Sequence, residues 1–165
     1  MAQNFWDMLD AEIALWREAD RQIPVWWRDD DATWNCDKLQ RLLRVSDGLP
    51  ICLAVIPKML DISLQHFVDD YKNITIAQHG LTHENLAPAG VRKSEFGYVK
   101  ENMARFHEGQ EILRIMFGNR VSPIFVPPWN RIAHATRRDL EAQGIVVSCY
   151  SGTKDSILTQ QMMQF

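Results

Sequence analysis

Hydrophobic and polar positions along this chain switch repeatedly between a helical and a strand period. Over residues 4–21, Phe5, Met8, Leu9, Ile13 and Trp16 recur at helical spacing with acids and Arg17 between them. That pattern predicts an amphipathic helix, with Asn4 as its cap. Pro24 starts a strand in the apolar run Ile23-Pro24-Val25-Trp26-Trp27, which ends at Arg28-Asp29-Asp30-Asp31. Residues 36–45 read as a helix with Leu39, Leu42 and Leu43 inward, stopped by Asp47-Gly48. The wholly apolar run 50–57 suits a strand covered on both faces. A helix over 60–71, a strand over 73–78 and a loop over 84–93 follow. A long helix over 94–117 comes next, with Ser94 as its cap and Gly118-Asn119 as its stop. The strand 123–126 runs into Pro127-Pro128-Trp129-Asn130. A helix over 133–143, a strand over 145–149 and a polar stretch over 150–165 close the sequence.

Strand and helix alternate, which predicts parallel strands joined by right-handed crossovers. The length of 165 residues suits one domain, 1–165, with a core over about 23–149. In such folds sites lie at the carboxyl ends of strands. The aspartates, a histidine pair and the Pro-Pro-Trp-Asn turn all fall at predicted strand ends, so three motifs distant in sequence converge on one rim.

Composition narrows the partners. Apolar content is 46% and charged content 24%, ordinary for a globular protein, and the net charge is −3. That balance gives no electrostatic support for nucleic acid or an anionic membrane as partner. No run approaches the roughly 20 apolar residues of a membrane span. The N-terminal stretch carries Asp7, Asp10 and Glu12 and lacks the basic start of a signal peptide, so the expected location is cytoplasmic. Cys36, Cys52 and Cys149 are odd in number and widely spaced, which speaks against a disulfide framework, and Cys52 and Cys149 read as buried thiols.

The candidate chemistry centres on Gln78-His79-Gly80-Leu81-Thr82-His83. Two imidazoles four residues apart share a face if the chain turns helical after the strand, and both can then reach one cation at about 2.0–2.1 Å. A third ligand is expected from Asp29, Asp30 or Asp31. Three adjacent carboxylates repel one another unless a cation or hydrogen bonds compensate. A His, His, Asp set leaves coordination positions open, as catalytic sites do. A bound divalent metal lowers the pKa of water towards about 7, and a neighbouring carboxylate can accept the proton. Arg28 is placed to hold that carboxylate ionised. The two prolines at 127 and 128 remove two donors, so the amide of Trp129 can face a developing oxyanion. Pro128, Asn130 and Arg131 are candidate substrate contacts.

Together these residues resemble the polysaccharide deacetylase family, the NodB-homology domain. Arg28-Asp29-Asp30-Asp31-Ala32 stands for its first motif, His79-Gly80-Leu81-Thr82-His83 for its second and Phe125-Val126-Pro127-Pro128-Trp129 for its third. The resemblance covers about residues 23–149. It implies a distorted (β/α) barrel and metal-dependent hydrolysis of a non-peptide carbon–nitrogen bond, such as the N-acetyl group of an amino sugar. It also implies a divalent metal, zinc first among the candidates, and a small-molecule or oligosaccharide substrate. Asp31, His79 and His83 would hold the metal, Asp30 would be the base and the Trp129 amide would stabilise the oxyanion. The triple aspartate leaves Asp29 and Asp30 as alternates for these roles. The chain departs from the family at three points: Val126 stands where the family has an arginine, Gly80 where it has a hydroxyl residue, and no histidine follows His134. Only five strands are readable, one or two strand–helix units short of the family barrel. An inactive relative that binds metal or carbohydrate, or an oligomer that covers open barrel edges, is therefore the alternative expectation.

Overall fold

The computed structural model describes residues 4–22 and 27–149. Helix α1 (Phe5–Glu18) belongs to one compact unit, and every later element belongs to a second. The Asn4 side chain caps α1, accepting from the Trp6 amide at 3.3 Å. The second unit holds, in order, β1 (Trp27–Ala32), α2 (Asp37–Ser46), β2 (Ile51–Val55), α3 (Ile62–Asp69), β3 (Ile74–His79), α4 (Asn102–Phe117), β4 (Val121–Val126), α5 (His134–Ala142) and β5 (Val146–Val147). The predicted strand start at Pro24 and the tail 150–165 lie outside the described residues. Among the described residues no helix is long and apolar enough to cross a membrane.

All five strands are parallel and stand in sequence order, β1-β2-β3-β4-β5. Each crossover is therefore a helix or helix-bearing connection, as the alternating pattern requires. Pairing fixes the faces. Ile51, Leu53, Val55, Ile74 and Ile76 share one face and pack with Leu39, Leu43, Leu64, Val68, Leu113 and Phe117 of the helices. On the same face a second cluster joins Phe125 and Val147 to Phe96, Phe106 and Leu140. Across β1 to β3 the opposite face carries small or polar side chains, with Arg28, Cys52 and Thr75 in one row and Ala54 beside Ala77.

That second face is concave. In a flat sheet β1 and β5 would lie about 19 Å apart, four strand spacings of about 4.8 Å. Yet Arg28 of β1 donates to the hydroxyl of Ser148, just past β5, at 2.8 Å and to its carbonyl at 3.2 Å. Only a rolled sheet brings those two within reach of one side chain. The architecture is an α/β fold whose five-stranded parallel sheet is compatible with part of a (β/α) barrel.

One condition named above is not met, and one predicted element differs. No helix follows β3: residues 80–83 are irregular. The helix expected over 94–117 begins only at Asn102, so Ser94 is not its cap. Residues 94–97 instead brace neighbouring loops. Ser94 Oγ donates to the Arg131 carbonyl, the Ala133 amide donates to the Phe96 carbonyl, and Phe96 bridges Ile132. Tertiary partners claim these backbone groups before a helical turn can form.

Candidate metal centre

The three motifs meet at the carboxyl ends of β1, β3 and β4. His79 is the last residue of β3 and is buried between its neighbours. Its Nδ1 lies 2.9 Å from the Val126 carbonyl of β4. Nδ1 therefore carries the proton and donates it to that carbonyl, leaving the Nε2 lone pair free. Nε2 faces Asp31, 3.0 Å from its Oδ1. His83 Nε2 lies 3.3 Å from the same oxygen, and the two imidazole centroids are 5.1 Å apart.

These distances fit a metal. Tetrahedral ligands at about 2.0–2.1 Å from an ion lie about 3.3–3.4 Å from one another. The ligand atoms of Asp31, His79 and His83 all fall within 4.8 Å of one another. Side-chain exposure is 4% for His79, 23% for His83 and 63% for Asp31, so the cluster opens to solvent on its aspartate side. An open side is what a catalytic centre needs and a structural one lacks.

Backbone conformation supplies the convergence. The β1–β2 register slips between Asp29 and Ala32, a bulge that holds Asp30 and Asp31. Asp31 takes a left-handed conformation, φ 64°, that re-aims its carboxylate. His83 (φ 58°), Trp129 (φ 55°) and Asn130 (φ 56°) are left-handed too. Four of the six described non-glycine residues with positive φ thus belong to the three motif loops. Such conformations cost of order 1–3 kcal/mol each and persist where surroundings over-determine them.

The remaining predicted residues are placed as follows. Asp30 is gripped by Arg28, Nε to Oδ1 at 2.8 Å and NH2 to Oδ2 at 3.0 Å, a two-pronged pair. Its charge, with that of Asp31, acts on the His79 ring. Burial nevertheless dominates there and holds the His79 pKa below its ordinary value, so the ring stays neutral, the form that ligates. Asp29 pairs with Leu53 and shares its helix-facing side of the sheet, away from Arg28. Burial, and then repulsion from Asp30 and Asp31, raises the Asp29 pKa. Cys52, buried beside Arg28, has its thiol pushed up to about 11 by burial, so it remains protonated.

Pro127, Pro128 and Trp129 form the wall on the β4 side. The Trp129 ring lies 4.4 Å from the His83 ring. Asn130 and Arg131 amides donate to the carbonyls of Pro127 and Pro128. Trp129 is therefore the turn's remaining backbone donor, since neither proline has an N–H. Pro128 Cγ packs 2.6 Å from where a Cβ on Gly80 would stand. Asn130 is exposed at the rim. The Arg131 guanidinium turns to the Lys93 carbonyl, 2.9 Å away, and so braces a loop.

Sequence reasoning missed a supporting layer. Glu95, fully buried, accepts from the amides of Leu81, Thr82 and His83 and from the Thr82 hydroxyl, at 2.9–3.1 Å, and pairs with Arg105 at 2.5 Å. Gln78, also fully buried, donates to the Gly80 carbonyl and accepts from Gln110, both at 2.9 Å. No periodic signal marks either. An acid at 95 reads as an ordinary first-turn acid of the predicted helix. Comparison of the chain with family models, curated proteins and solved structures finds no match.

Proposed function

We propose that this protein is a metal-dependent hydrolase of the polysaccharide deacetylase type, acting on a non-peptide amide such as the N-acetyl group of an amino sugar. One observation carries the reading: Asp31, His79 and His83 aim three ligand atoms at a common point on an open rim, with the His79 tautomer fixed by the Val126 carbonyl. Asp31 Oδ1 and the two Nε2 atoms would hold a divalent ion, zinc by the nitrogen-rich donor set. When bound, such an ion supplies Lewis acidity towards the amide carbonyl and makes water a stronger acid.

The chain's own residues do the rest. Asp30 is the base: it faces the concave side with Arg28, its charge reaches His79, and the two-pronged guanidinium pair fixes its orientation. Arg28 thereby fills the role that Val126, in place of the family's arginine, cannot. The proton taken from water by Asp30 is returned to the leaving nitrogen as the carbon–nitrogen bond breaks, one carboxylate serving as base and then as acid. The Trp129 amide donates to the oxyanion, and its ring walls the His83 side.

Acetate release from short N-acetylglucosamine oligomers, with zinc supplied, tests this. Release should depend on zinc and fall about 10²–10⁴-fold in Asp30→Asn, the usual span of general-base catalysis. No release from these or from simple amides, with zinc bound, would defeat the reading. Val126, standing where the family has its arginine, favours a second one, a binding module. Its mark is saturable oligosaccharide binding without product, unchanged in Asp30→Asn.

A further inference from the structure

Two imidazoles four residues apart would share a face on a helix, but here no helix presents them. Something else must hold His83 where its ring meets that of His79. The carboxylate of Glu95 is the group that does so. Its Oε1 accepts from the Leu81 amide at 3.1 Å, the Thr82 amide at 2.9 Å and the Thr82 hydroxyl at 3.1 Å, and its Oε2 accepts from the His83 amide at 3.1 Å. Three successive N–H groups curled round one anion form a nest, the arrangement that elsewhere binds phosphate. Here the anion is the protein's own.

We propose that Glu95 is a positioning residue of the metal centre, whose buried carboxylate folds residues 81–83 into a nest and so sets the left-handed backbone that aims His83 Nε2 at Asp31. This rests on the metal reading above and deepens it.

Three further observations fit. The carboxylate is fully buried, and Arg105 compensates its charge at 2.5 Å. An ion so placed is costly unless it is paired and hydrogen-bonded, and this one is both. Gly80 has φ +62°, and a Cβ there would stand 2.2 Å from Glu95 Oε2. The residue that departs from the family's hydroxyl pattern is thus the one that must lack a side chain for Glu95 to enter. Finally, the segment bearing Glu95 is tied to the Pro-Pro-Trp turn through Ser94 Oγ to Arg131 O and through Arg131 NH1 to Lys93 O. One strap thereby fixes the histidine loop against the turn that walls it.

Zinc affinity, measured by competition with a chromogenic chelator, and amide hydrogen exchange on the metal-free protein test the assignment together. In Glu95→Gln, one acceptor oxygen is replaced by a donor that cannot take the amides. Zinc affinity should fall about 10–100-fold, as for lost support of a ligand. Exchange at Leu81, Thr82 and His83 should accelerate, with β3 amides unchanged. The decisive arm is the double variant. Because Glu95 acts through His83, Glu95→Gln should add almost nothing once His83→Ala is present. Equal losses in both backgrounds, or wild-type affinity in Glu95→Gln, would overturn the proposal. Should Glu95→Gln not fold, Glu95→Asp keeps the charge but falls one methylene short of the amides, and the same three readouts apply. Wild-type protein that binds no zinc would instead sink the proposed function itself, and the exchange data would then show on their own whether Glu95 holds the loop.

Discussion

At the scale of single residues, the three consecutive aspartates divide their labour by where the strand points them. Asp31 leaves the regular register through a left-handed bulge, Asp30 faces Arg28, and Asp29 alone is turned to the helix side, away from that guanidinium. Burial is the main cause of its raised pKa, followed by its two acidic neighbours. The sign of the consequence follows. A carboxyl whose folded pKa lies above its unfolded value of 3.8 binds protons more readily when folded, so ionising it at neutral pH opposes folding. Asp29→Asn should therefore stabilise the metal-free protein at pH 7. The gain should shrink as pH falls through the folded pKa and vanish below 3.8, where both states already carry the proton. Half-solvation limits the effect to under about 1 kcal/mol. Urea midpoints of the two proteins at pH 7 and pH 3.5 decide it, and a destabilised Asp29→Asn at pH 7 would assign Asp29 a favourable role that this electrostatic account lacks.

At the scale of elements, legibility in the sequence tracked how local the determinants are. The order of strands and helices was readable because each carries its own period: Leu39 and Leu43 one turn apart, and the wholly buried run of β2. The His79, His83 and Asp31 cluster was readable as residue types, because ligand chemistry restricts them. The shape of the loop joining the two histidines was not readable. Glu95 lies 12 to 14 residues beyond the amides it collects, and no periodicity reports a contact at that range. The late start of α4 has the same cause, since its expected first turn is spent bracing loops. Helix α4 itself shows how propensity misleads. Gly109 sits inside it, and exchanging a helical glycine for alanine normally adds about 0.8–1.0 kcal/mol. Here a Cβ would stand 2.2 Å from Gln78 Nε2 and 3.1 Å from Pro57 Cγ. Overpacking costs about 1–3 kcal/mol, and the displaced amide would also lose Gly80 or Gln110 as partner. Gly109→Ala should accordingly lower stability by about 1–2 kcal/mol in a urea titration. A rise close to the propensity value would mean that α4 and β3 are free to separate.

At the scale of the whole second unit, a short parallel sheet must hold a rolled shape although β1 and β5 are not hydrogen-bonded to each other among the described residues. Arg28 spans that gap: one guanidinium joins Asp30 on β1 to the hydroxyl and carbonyl of Ser148 beyond β5. The contact that orients the proposed base is therefore also one that links the first strand to the last, so site geometry and sheet curvature should fail together. Exposed ion pairs contribute about 0–1 kcal/mol, whereas hydrogen bonds to charged groups in part-buried settings contribute about 1.5–3 kcal/mol. With its side chain only 20% exposed, Arg28 belongs nearer the second class. Arg28→Met should cost about 1.5–3 kcal/mol in denaturant unfolding. It should also speed exchange of the Ser148 amide, which donates to the Phe125 carbonyl at 2.9 Å, while leaving the β2 and β3 amides protected. Arg28→Lys keeps the charge but not the fork that reaches both strands, so it should rescue only part of the loss. A cost below about 0.5 kcal/mol, with Ser148 exchange unchanged, would place Arg28 in the exposed class. The curvature would then owe nothing to it and would rest on helix packing against the outer face alone.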